Sequence, residues 1–426
     1  MNPVISILAA AIFITGFAMI VLEHTIRINK SATAMVTGAL LWILIATQLG
    51  SEDIAHHLTE TGAGVFGIII FLLCALSLVE ILVHYRFFDL VRGKLYSLNF
   101  TDRKQFVLVA VIAFFLSAVI DNLTTTVIMI QISRKFFKGK NLLVVAAGIV
   151  IVANAGGAFS PIGDITTIML WFAKKFGTGE IIVKGILPSV VLGAVAIALL
   201  VRQLKPVPKD DDEEEIITQL DRSEKTVVTV VFMSFLLPLF ANLIGLAPYF
   251  GLLLGLGIVW ITIDLMKRFS STATHLSASI EDLIRKTDIA SLKFFVGILI
   301  AVAALHAGGL LEKLAHLIYG YEPNENALII GNVALGIISS VLDNVPLTDI
   351  AIKMAQTTDS NIWILLALTV GTGGSLLVVG SAAGVVAMGM VKELTFGRYF
   401  RIAFLPALSG FFAAVAVWYL DFIFLA

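Results

Sequence analysis

The dominant pattern along the chain is a series of long apolar stretches separated by short polar connectors. A helix needs roughly 20 mostly apolar residues to cross a bilayer, with a range of about 17–25. Two of the qualifying stretches, 141–173 and 361–391, are too long for one span and contain glycine and polar residues, so we expect broken helices there. The pattern predicts ten spans: 3–22, 30–48, 63–84, 141–173, 182–202, 225–244, 248–266, 288–306, 361–391 and 400–424.

Two further apolar regions, 104–137 and 326–356, have a polar centre between two arms of about 15 residues each. At a rise of 1.5 Å per residue, each arm is roughly 22 Å long, which is shorter than the roughly 30 Å hydrocarbon core. We therefore expect each region to enter and leave the membrane on the same side, with its tip buried in protein or facing a water-filled cavity. The predicted fold is an all-α polytopic membrane protein of about ten full spans plus two re-entrant helical hairpins, with two broken helices.

The amino-acid composition is also typical of a protein that lies within a lipid bilayer. Hydrophobic residues make up 58% of the 426 residues and charged residues 14%, against roughly 45–50% and about 25% in average globular proteins. These values exclude a soluble enzyme and a disordered protein, and a net charge of −1 offers no basic patch for nucleic acid. The single cysteine, Cys74, excludes a disulfide scaffold and a cysteine-ligated metal site.

The two halves of the chain repeat each other weakly. The segment 117–126 matches 339–348 in Ser, Val, Asp, Asn and Thr at a constant offset of 222, and 154–163 matches 371–380 in the pattern Gly-Gly, five residues, Gly. Each half contains five crossings, and because five is odd, the second half is expected to insert upside down, as in inverted-repeat transporters. We expect repeats at 1–202 and 225–426, joined by the acidic linker 203–224.

The distribution of positive charge predicts the orientation. With the N-terminus on one side, the connectors on the opposite side carry 24 of the 29 Lys and Arg residues. The positive-inside rule makes that side cytoplasmic. Both termini are then expected outside, the linker 203–224 inside, and the hairpin tips near the midplane. The acidic run 210–215 within the linker is interpreted as a solvated loop.

Three aspartates lie inside apolar segments, where an ionisable side chain is costly and is a functional candidate. Asp121 and Asp343 occupy the hairpin tips, and Asp164 follows the glycine- and proline-containing break in 141–173. Carboxylates, amides, hydroxyls and freed carbonyls are oxygen ligands suited to a hard cation. The competing interpretation is that these aspartates cap half-helices. Neutral polar residues accompany them at the tips and breaks: Asn122, Asn344, Asn154, Ser160, Thr166, Thr167, Thr372, Ser375 and Ser381.

Other polar residues are weaker candidates. Glu80 and His84 lie one helical turn apart and could relay protons, but their place near the cytoplasmic boundary favours an interfacial pair. The sequence has no Walker-type phosphate loop, so ATP-driven transport has no support.

At these motifs, from about residue 60 to residue 392, the sequence resembles the NhaD-type sodium/proton antiporters of the ion transporter superfamily. The closest similarity lies in the segment 154–167, Asn-Ala-Gly-Gly-Ala-Phe-Ser-Pro-Ile-Gly-Asp-Ile-Thr-Thr. The resemblance implies a bacterial inner-membrane homodimer that expels Na⁺, and usually Li⁺, in exchange for H⁺ without a cofactor. It also implies a transport domain of about 104–202 and 326–426 moving against a scaffold of the remaining spans. The functional polar set then falls on Ser117, Asp121, Asn122, Asn154, Asp164, Thr166, Thr167, Ser339, Asp343 and Asn344.

Two other classes stay open at the level of the residues. An anion symporter of the same superfamily, carrying a dicarboxylate or arsenite, would hold its substrate with helix N-termini and neutral tips, and carboxylates at both tips count against it. An intramembrane enzyme is the less favoured alternative, because a His-Glu-x-x-His helix is absent. The odd-numbered inverted repeat with its broken helices favours alternating access over a passive channel. The sequence alone does not distinguish an elevator from a rocking bundle, and the family resemblance implies the elevator type.

Overall fold

The computed structural model describes residues 2–205, 219–269 and 289–425, except 99, 135, 321–322, 356 and 379. Within these ranges every regular element is a helix. The acidic run 210–215 lies outside the described residues. The helices of the first half are α1 Pro3–Val21, α2 Glu23–Ile26, α3 Lys30–Ala46, α4 Ser51–His84, α5 Phe87–Ser97, α6 Asp102–Ser117, α7 Asn122–Ser133, α8 Gly139–Gly157, α9 Ile165–Phe172 and α10 Thr178–Val201.

The second half is also helical in its described part. Its helices are α11 Arg222–Ser234, α12 Leu237–Leu243, α13 Pro248–Phe269, α14 Ile289–Ala307, α15 Leu310–Tyr319, α16 Glu325–Ile338, α17 Asn344–Met354, α18 Ser360–Leu377, α19 Ala382–Met390 and α20 Phe396–Leu425.

Eight helical segments of the described chain are long and apolar enough to cross a membrane. They coincide with eight of the ten predicted spans, and the other two, at 30–48 and 288–306, correspond to the shorter apolar helices Lys30–Ala46 and Leu292–Ala307. The chain is therefore a multi-pass helical membrane protein, as its composition indicates. The count of ten spans stays a prediction.

Two helix boundaries differ from the sequence-based expectation. Helix α4 begins at Ser51, twelve residues before the apolar stretch 63–84, because its first turns are polar and carry Glu52 and Asp53, which favour a helix N-terminus. The span 225–244 is divided at 235–236, where α11 ends and α12 begins with Pro238 in its first turn. Proline has no N–H to continue the preceding helix, which explains the interruption.

The chain leaves helical conformation at both hairpin tips and in both long stretches. Helix α6 ends at Ser117 and α7 begins at Asn122, whereas α16 ends at Ile338 and α17 begins at Asn344. The long stretches are divided between α8 and α9 and between α18 and α19. The broken helices contribute much of the interior. In the apolar 18-residue stretch of Ser360–Met390, 94% of the residues are buried, against 28% in the corresponding stretches of α1 and α13.

Close backbone contacts at glycine hold each hairpin tip against the neighbouring broken helix. Gly156 packs on the Phe114 carbonyl and Gly163 on the Ser117 carbonyl. In the second half, Gly373 packs on the Gly336 carbonyl, and Gly380 packs on that of Ser339. A side chain at any of these positions would overlap backbone, so glycine is required there. The same pairing occurs in both halves, which agrees with the sequence repeat.

We expect Gly156→Ala to destabilise the protein by about 3 kcal/mol, since overpacking against backbone cannot be relieved by a rotamer change. The matched control is Gly257→Ala, in the middle of α13, where a Cβ atom would meet nothing within 4 Å. That substitution should stabilise its helix by up to about 1 kcal/mol. Thermal unfolding in detergent checks the pair: Gly156→Ala should lower Tm and Gly257→Ala should not. Equal Tm values would contradict the packing described.

Candidate functional site

The side chain of Asn122 joins the first hairpin tip to both parts of the neighbouring broken helix. Its amide nitrogen donates hydrogen bonds to Asn154 Oδ1 at 3.0 Å and to Asp164 Oδ2 at 2.9 Å. Asn154 lies near the end of α8, and Asp164 immediately precedes α9. A tip and a break separated by about 30–40 residues in sequence thus meet at one polar cluster, and both Asn154 and Asp164 are fully buried.

Asp164 is held by its own helix as well as by Asn122. Its Oδ1 accepts a hydrogen bond from the backbone N–H of Thr166 at 3.0 Å, and the hydroxyl of Thr167 donates to the Asp164 backbone carbonyl at 2.8 Å. Each carboxylate oxygen therefore has one donor, and each still has acceptor capacity for a further ligand. Helix α18 passes beside this carboxylate, since a Cβ atom at Gly371 would lie 3.4 Å from Asp164 Oδ2.

Asn154 connects the two halves of the chain. Its amide nitrogen donates to Ser375 Oγ at 2.7 Å and to Ser381 Oγ at 3.1 Å. Both serines are almost fully buried, and Ser381 is the N-cap of α19. The side chains of both broken helices thus form one hydrogen-bonded cluster inside the protein, and we call Asn122, Asn154, Asp164, Ser375 and Ser381 the central polar cluster.

Asp121 and Asp343 occupy equivalent positions at the two hairpin tips. Asp121 Oδ1 accepts from the backbone N–H of Thr124 at 2.8 Å, and Oδ2 accepts from its hydroxyl at 2.6 Å. Asp343 Oδ1 accepts from the backbone N–H of Val345 at 3.0 Å. Both carboxyl groups are half-buried and lie close enough for their charges to act on Asp164. Three carboxyl groups therefore share one electrostatic environment in the interior.

All three aspartates cap half-helices, as the competing interpretation of the sequence expects. Capping uses Oδ1 of Asp164 and Asp343 for a backbone N–H. It does not explain why Asp164 is fully buried or why the side-chain amide of Asn122 donates to its Oδ2. A cap does not need a buried charge, because Ser and Asn cap helices about as well as Asp.

Two of the predicted residues, both serines, attach the tips to their surroundings. Ser117 donates to the Ala153 carbonyl at 2.6 Å. The Ser339 hydroxyl lies 2.6 Å from Asn344 Oδ1 and 2.8 Å from the Val370 carbonyl. These serines hold each tip against α8 or α18 and position the residues around them. The hydroxyl of Thr372 donates to the Leu368 carbonyl of its own helix at 2.6 Å, so its ligand role stays a prediction.

Ser381, one of the neutral polar residues noted at the breaks, joins the cluster, and Gly371 lies beside it although the motifs did not indicate it as a site residue. An offset of 217 in the broken-helix repeat pairs Asp164 with Ser381 and Asn154 with Gly371. The second break therefore has the neutral cap Ser381 where the first has the carboxylate of Asp164. It has Gly371, without a side chain, where the first has the amide of Asn154. Glu80 and His84 lie at the end of α4 and take part in none of the cluster's hydrogen bonds given above.

Comparison with known proteins identifies the family. The sequence model described as "Citrate transporter" matches residues 17–371. "Sodium/proton antiporter 1" of Arabidopsis thaliana is 36% identical over 96% of this chain and 71% of its own length. "Sodium/proton antiporter 2" of the same plant is 34% identical over 95% and 97%. "Na(+)/H(+) antiporter NhaD" of Halomonas elongata is 29% identical over 96% and 87%.

The family model covers both hairpin tips, and the three relatives each align over 95–96% of the chain. Family and relatives are transporters and not enzymes, which leaves no role for the intramembrane-enzyme alternative. The chain belongs to the transporter family that the citrate-transporter model describes, and its similarity to several relatives groups it with the NhaD-type sodium/proton antiporters.

Proposed function

We propose that this protein exchanges Na⁺ for H⁺ across a membrane, with Asp164 and the central polar cluster as the shared ion site. The observation that carries the proposal is the buried Asp164 carboxylate, bridged by Asn122 to a cluster contributed by both halves of the chain. A carboxylate with amide and hydroxyl oxygens around it is a donor set for a hard cation. The names of the relatives support Na⁺ and H⁺ as the transported ions.

One site that holds either ion is sufficient for coupled exchange. Sodium binds the ionised carboxylate, whereas a proton neutralises it and removes the charge that holds the metal ion. The site can then return across the membrane loaded with one ion or the other. Asp121 and Asp343 add negative charge, which attracts a cation and disfavours leaving all three carboxyl groups ionised with no ion bound. Lithium, as a smaller alkali ion, is the second expected substrate.

The two halves form an inverted repeat in this proposal, and it is supported by the matching glycine contacts at Gly156 and Gly373 and at Gly163 and Gly380. Short hairpin arms that enter from opposite faces would place Asp121 and Asp343 near the midplane. Segments 104–202 and 326–426 form the transport domain. The scaffold consists of the remaining spans and supplies the homodimer contact. The protein resides in the bacterial inner membrane with both termini outside and the linker 203–224 in the cytoplasm, as the positive charges indicate.

Anion transport is the second candidate, and the name of the matching family model favours it. Four half-helices begin at the tips and breaks, and a helix N-terminus attracts an anion. Three of these N-termini, however, are capped by the carboxylates Asp121, Asp164 and Asp343, and only α19 begins with a neutral cap, Ser381. A carboxylate substrate would have to approach three like charges. The geometry therefore favours a cation.

Competition between Na⁺ and H⁺ tests the shared site. We expect the apparent affinity for Na⁺ to weaken as the pH falls, since protonation of the carboxylate and binding of Na⁺ exclude each other. Proteoliposomes with a trapped pH-sensitive dye give the half-saturating Na⁺ concentration at a series of pH values. If each Na⁺ displaces one proton, the half-saturating Na⁺ concentration should rise up to tenfold for each unit by which the pH is lowered. A half-saturating concentration that does not vary with pH would require separate sites for the two ions.

A further inference from the structure

A cluster of metal-ligand side chains lies at the beginning of α4, outside the central polar cluster. One nitrogen of His56, one nitrogen of His57 and one carboxylate oxygen of Glu60 lie within 4.8 Å of one another. The rings of His56 and His57 are 5.8 Å apart, nearly perpendicular to each other. His56 and Glu60 are exposed and His57 is half-buried, so the cluster is open to solutes.

A fourth ligand-type side chain approaches the cluster from another helix. The His306 ring, near the end of α14, lies 6.4 Å from the His57 ring at an interplanar angle of 82°. Its Nδ1 is buried and makes no hydrogen bond within the described part of the chain. A buried polar atom without a partner costs about 1–3 kcal/mol and needs an explanation. A ligand bound between α4 and α14 supplies one.

The donor set indicates which ligand fits. Imidazole nitrogen is a preferred ligand of Zn²⁺, Cu²⁺ and Ni²⁺, and a carboxylate oxygen completes tetrahedral Zn²⁺ sites. His56 and Glu60 are four residues apart and His57 and Glu60 three, and side chains at both spacings meet on a helix surface. Zinc–nitrogen distances near 2.1 Å require the ligand atoms to approach more closely than 4.8 Å. Rotation of the exposed His56 and Glu60 side chains can provide that change.

We propose that His56, His57 and Glu60, together with His306, form a binding site for a first-row transition-metal ion such as Zn²⁺, which links α4 to α14. Hydrated Na⁺ would gain little from imidazole nitrogen, so this site is distinct in chemistry from the transport site. It lies next to the second hairpin, because α14 packs against α17 as well as α4. The charges of Asp349 and Lys353, which pair at 2.8 Å on α17, reach His306.

Because the proposed metal site lies beside α17, we expect metal binding to affect ion exchange, and this expectation rests on the proposed function. If the second hairpin moves relative to α14 during exchange, a divalent cation at His306 will attract Asp349 and repel Lys353 on α17, and will thereby change the energy of that movement. We therefore expect Zn²⁺ added at the face bearing His57 to inhibit exchange. Binding itself does not depend on any transport activity, and the two properties can be measured separately.

Zinc binding to the full-length protein in detergent, without a polyhistidine tag, tests the site. Competition with a fluorescent zinc chelator should give one Zn²⁺ per chain, and affinity should fall at least tenfold in His57→Gln and in His306→Gln. His316→Gln, which alters an exposed histidine on α15, is the matched control and should bind zinc as the unmodified chain does. Thermal unfolding without metal should show that all three variants fold.

Two results would overturn the proposal. One is the absence of stoichiometric zinc binding by the unmodified chain. The other is the same affinity in the unmodified chain, His57→Gln and His306→Gln. Inhibition of exchange by Zn²⁺ that is lost in His57→Gln would support the link to transport. Zinc binding with no effect on exchange would retain the metal site and remove its proposed influence on the hairpin.

Discussion

Replacing Asp164 by asparagine should abolish sodium-driven proton exchange while the protein still inserts and folds. Asparagine has nearly the same size and caps a helix about as well as aspartate, so the cap to Thr166 can persist. It cannot bind a proton in exchange for Na⁺, and it carries no charge. The measurement is Na⁺-dependent dequenching of a pH dye in everted vesicles, with expression quantified in parallel. Activity should fall to that of vesicles without the protein.

The matched control is Asp359→Asn. Asp359 caps the beginning of α18 by accepting from the backbone N–H of Asn361 at 2.8 Å, and its side chain lies at the other end of that helix from the central polar cluster. Near-normal exchange in Asp359→Asn together with its loss in Asp164→Asn would separate ion binding from capping. The same substitution at Asp121 or Asp343 should also reduce exchange severely. Near-normal exchange in all three site variants would favour a purely structural role for these aspartates.

Cross-linking the proposed transport domain to the proposed scaffold should stop exchange, and this is the second large effect that we expect. Phe71 of α4 and Phe172 of α9 are in contact across the proposed boundary, with ring centroids 5.6 Å apart. In a chain with Cys74→Ala, cysteines at these two positions joined by a flexible bifunctional thiol reagent would fix the domains in one relative position. Exchange should be lost on treatment and should recover on reduction of a cleavable linker.

A pair within the transport domain provides the comparison. Phe114 and Phe159 are also in contact, with ring centroids 5.2 Å apart, and both lie within 104–202. Cross-linking cysteines at these positions should leave exchange intact, because the two residues are expected to move together. Full activity after cross-linking positions 71 and 172 would show that these regions do not move past each other. Loss of activity after cross-linking with both pairs would indicate instead that parts of the proposed transport domain move relative to one another.

The sequence identifies the three aspartates of the candidate site, because a charged residue within an apolar stretch is conspicuous. It also located the helix breaks, since the polar and glycine-rich tips interrupt otherwise continuous apolar arms. The partners of those residues were harder to predict, because a hydrogen bond between Asn154 and Ser381 depends on how two broken helices pack. The sequence indicates Ser381 as one of several neutral polar residues at the second break, and its equivalence to Asp164 follows when the repeat is extended from Gly163 and Gly380 to the next position.

Other features depend on physical effects that hydropathy does not record. The beginning of α4 is helical although it is polar, so an apolar pattern places its start at 63 instead of 51. A buried hydroxyl in a helix can donate to the carbonyl four residues earlier, as Thr372 does, and residue type alone does not distinguish this from a ligand role. His56 and His57 are neighbours in sequence and form no recognisable motif, whereas His306 is far from both. Only folding brings the His306 ring next to that of His57.

The most direct test of the central claim is ion-driven proton flux in everted vesicles or proteoliposomes containing this protein. A pH gradient is formed first, and Na⁺, Li⁺, K⁺ and citrate are then added separately. Exchange at the carboxylate site predicts that Na⁺ or Li⁺ collapses the gradient, and that neither ion does so in the Asp164→Asn variant. No response to either cation, together with uptake of citrate, would contradict sodium/proton exchange and establish anion transport in its place.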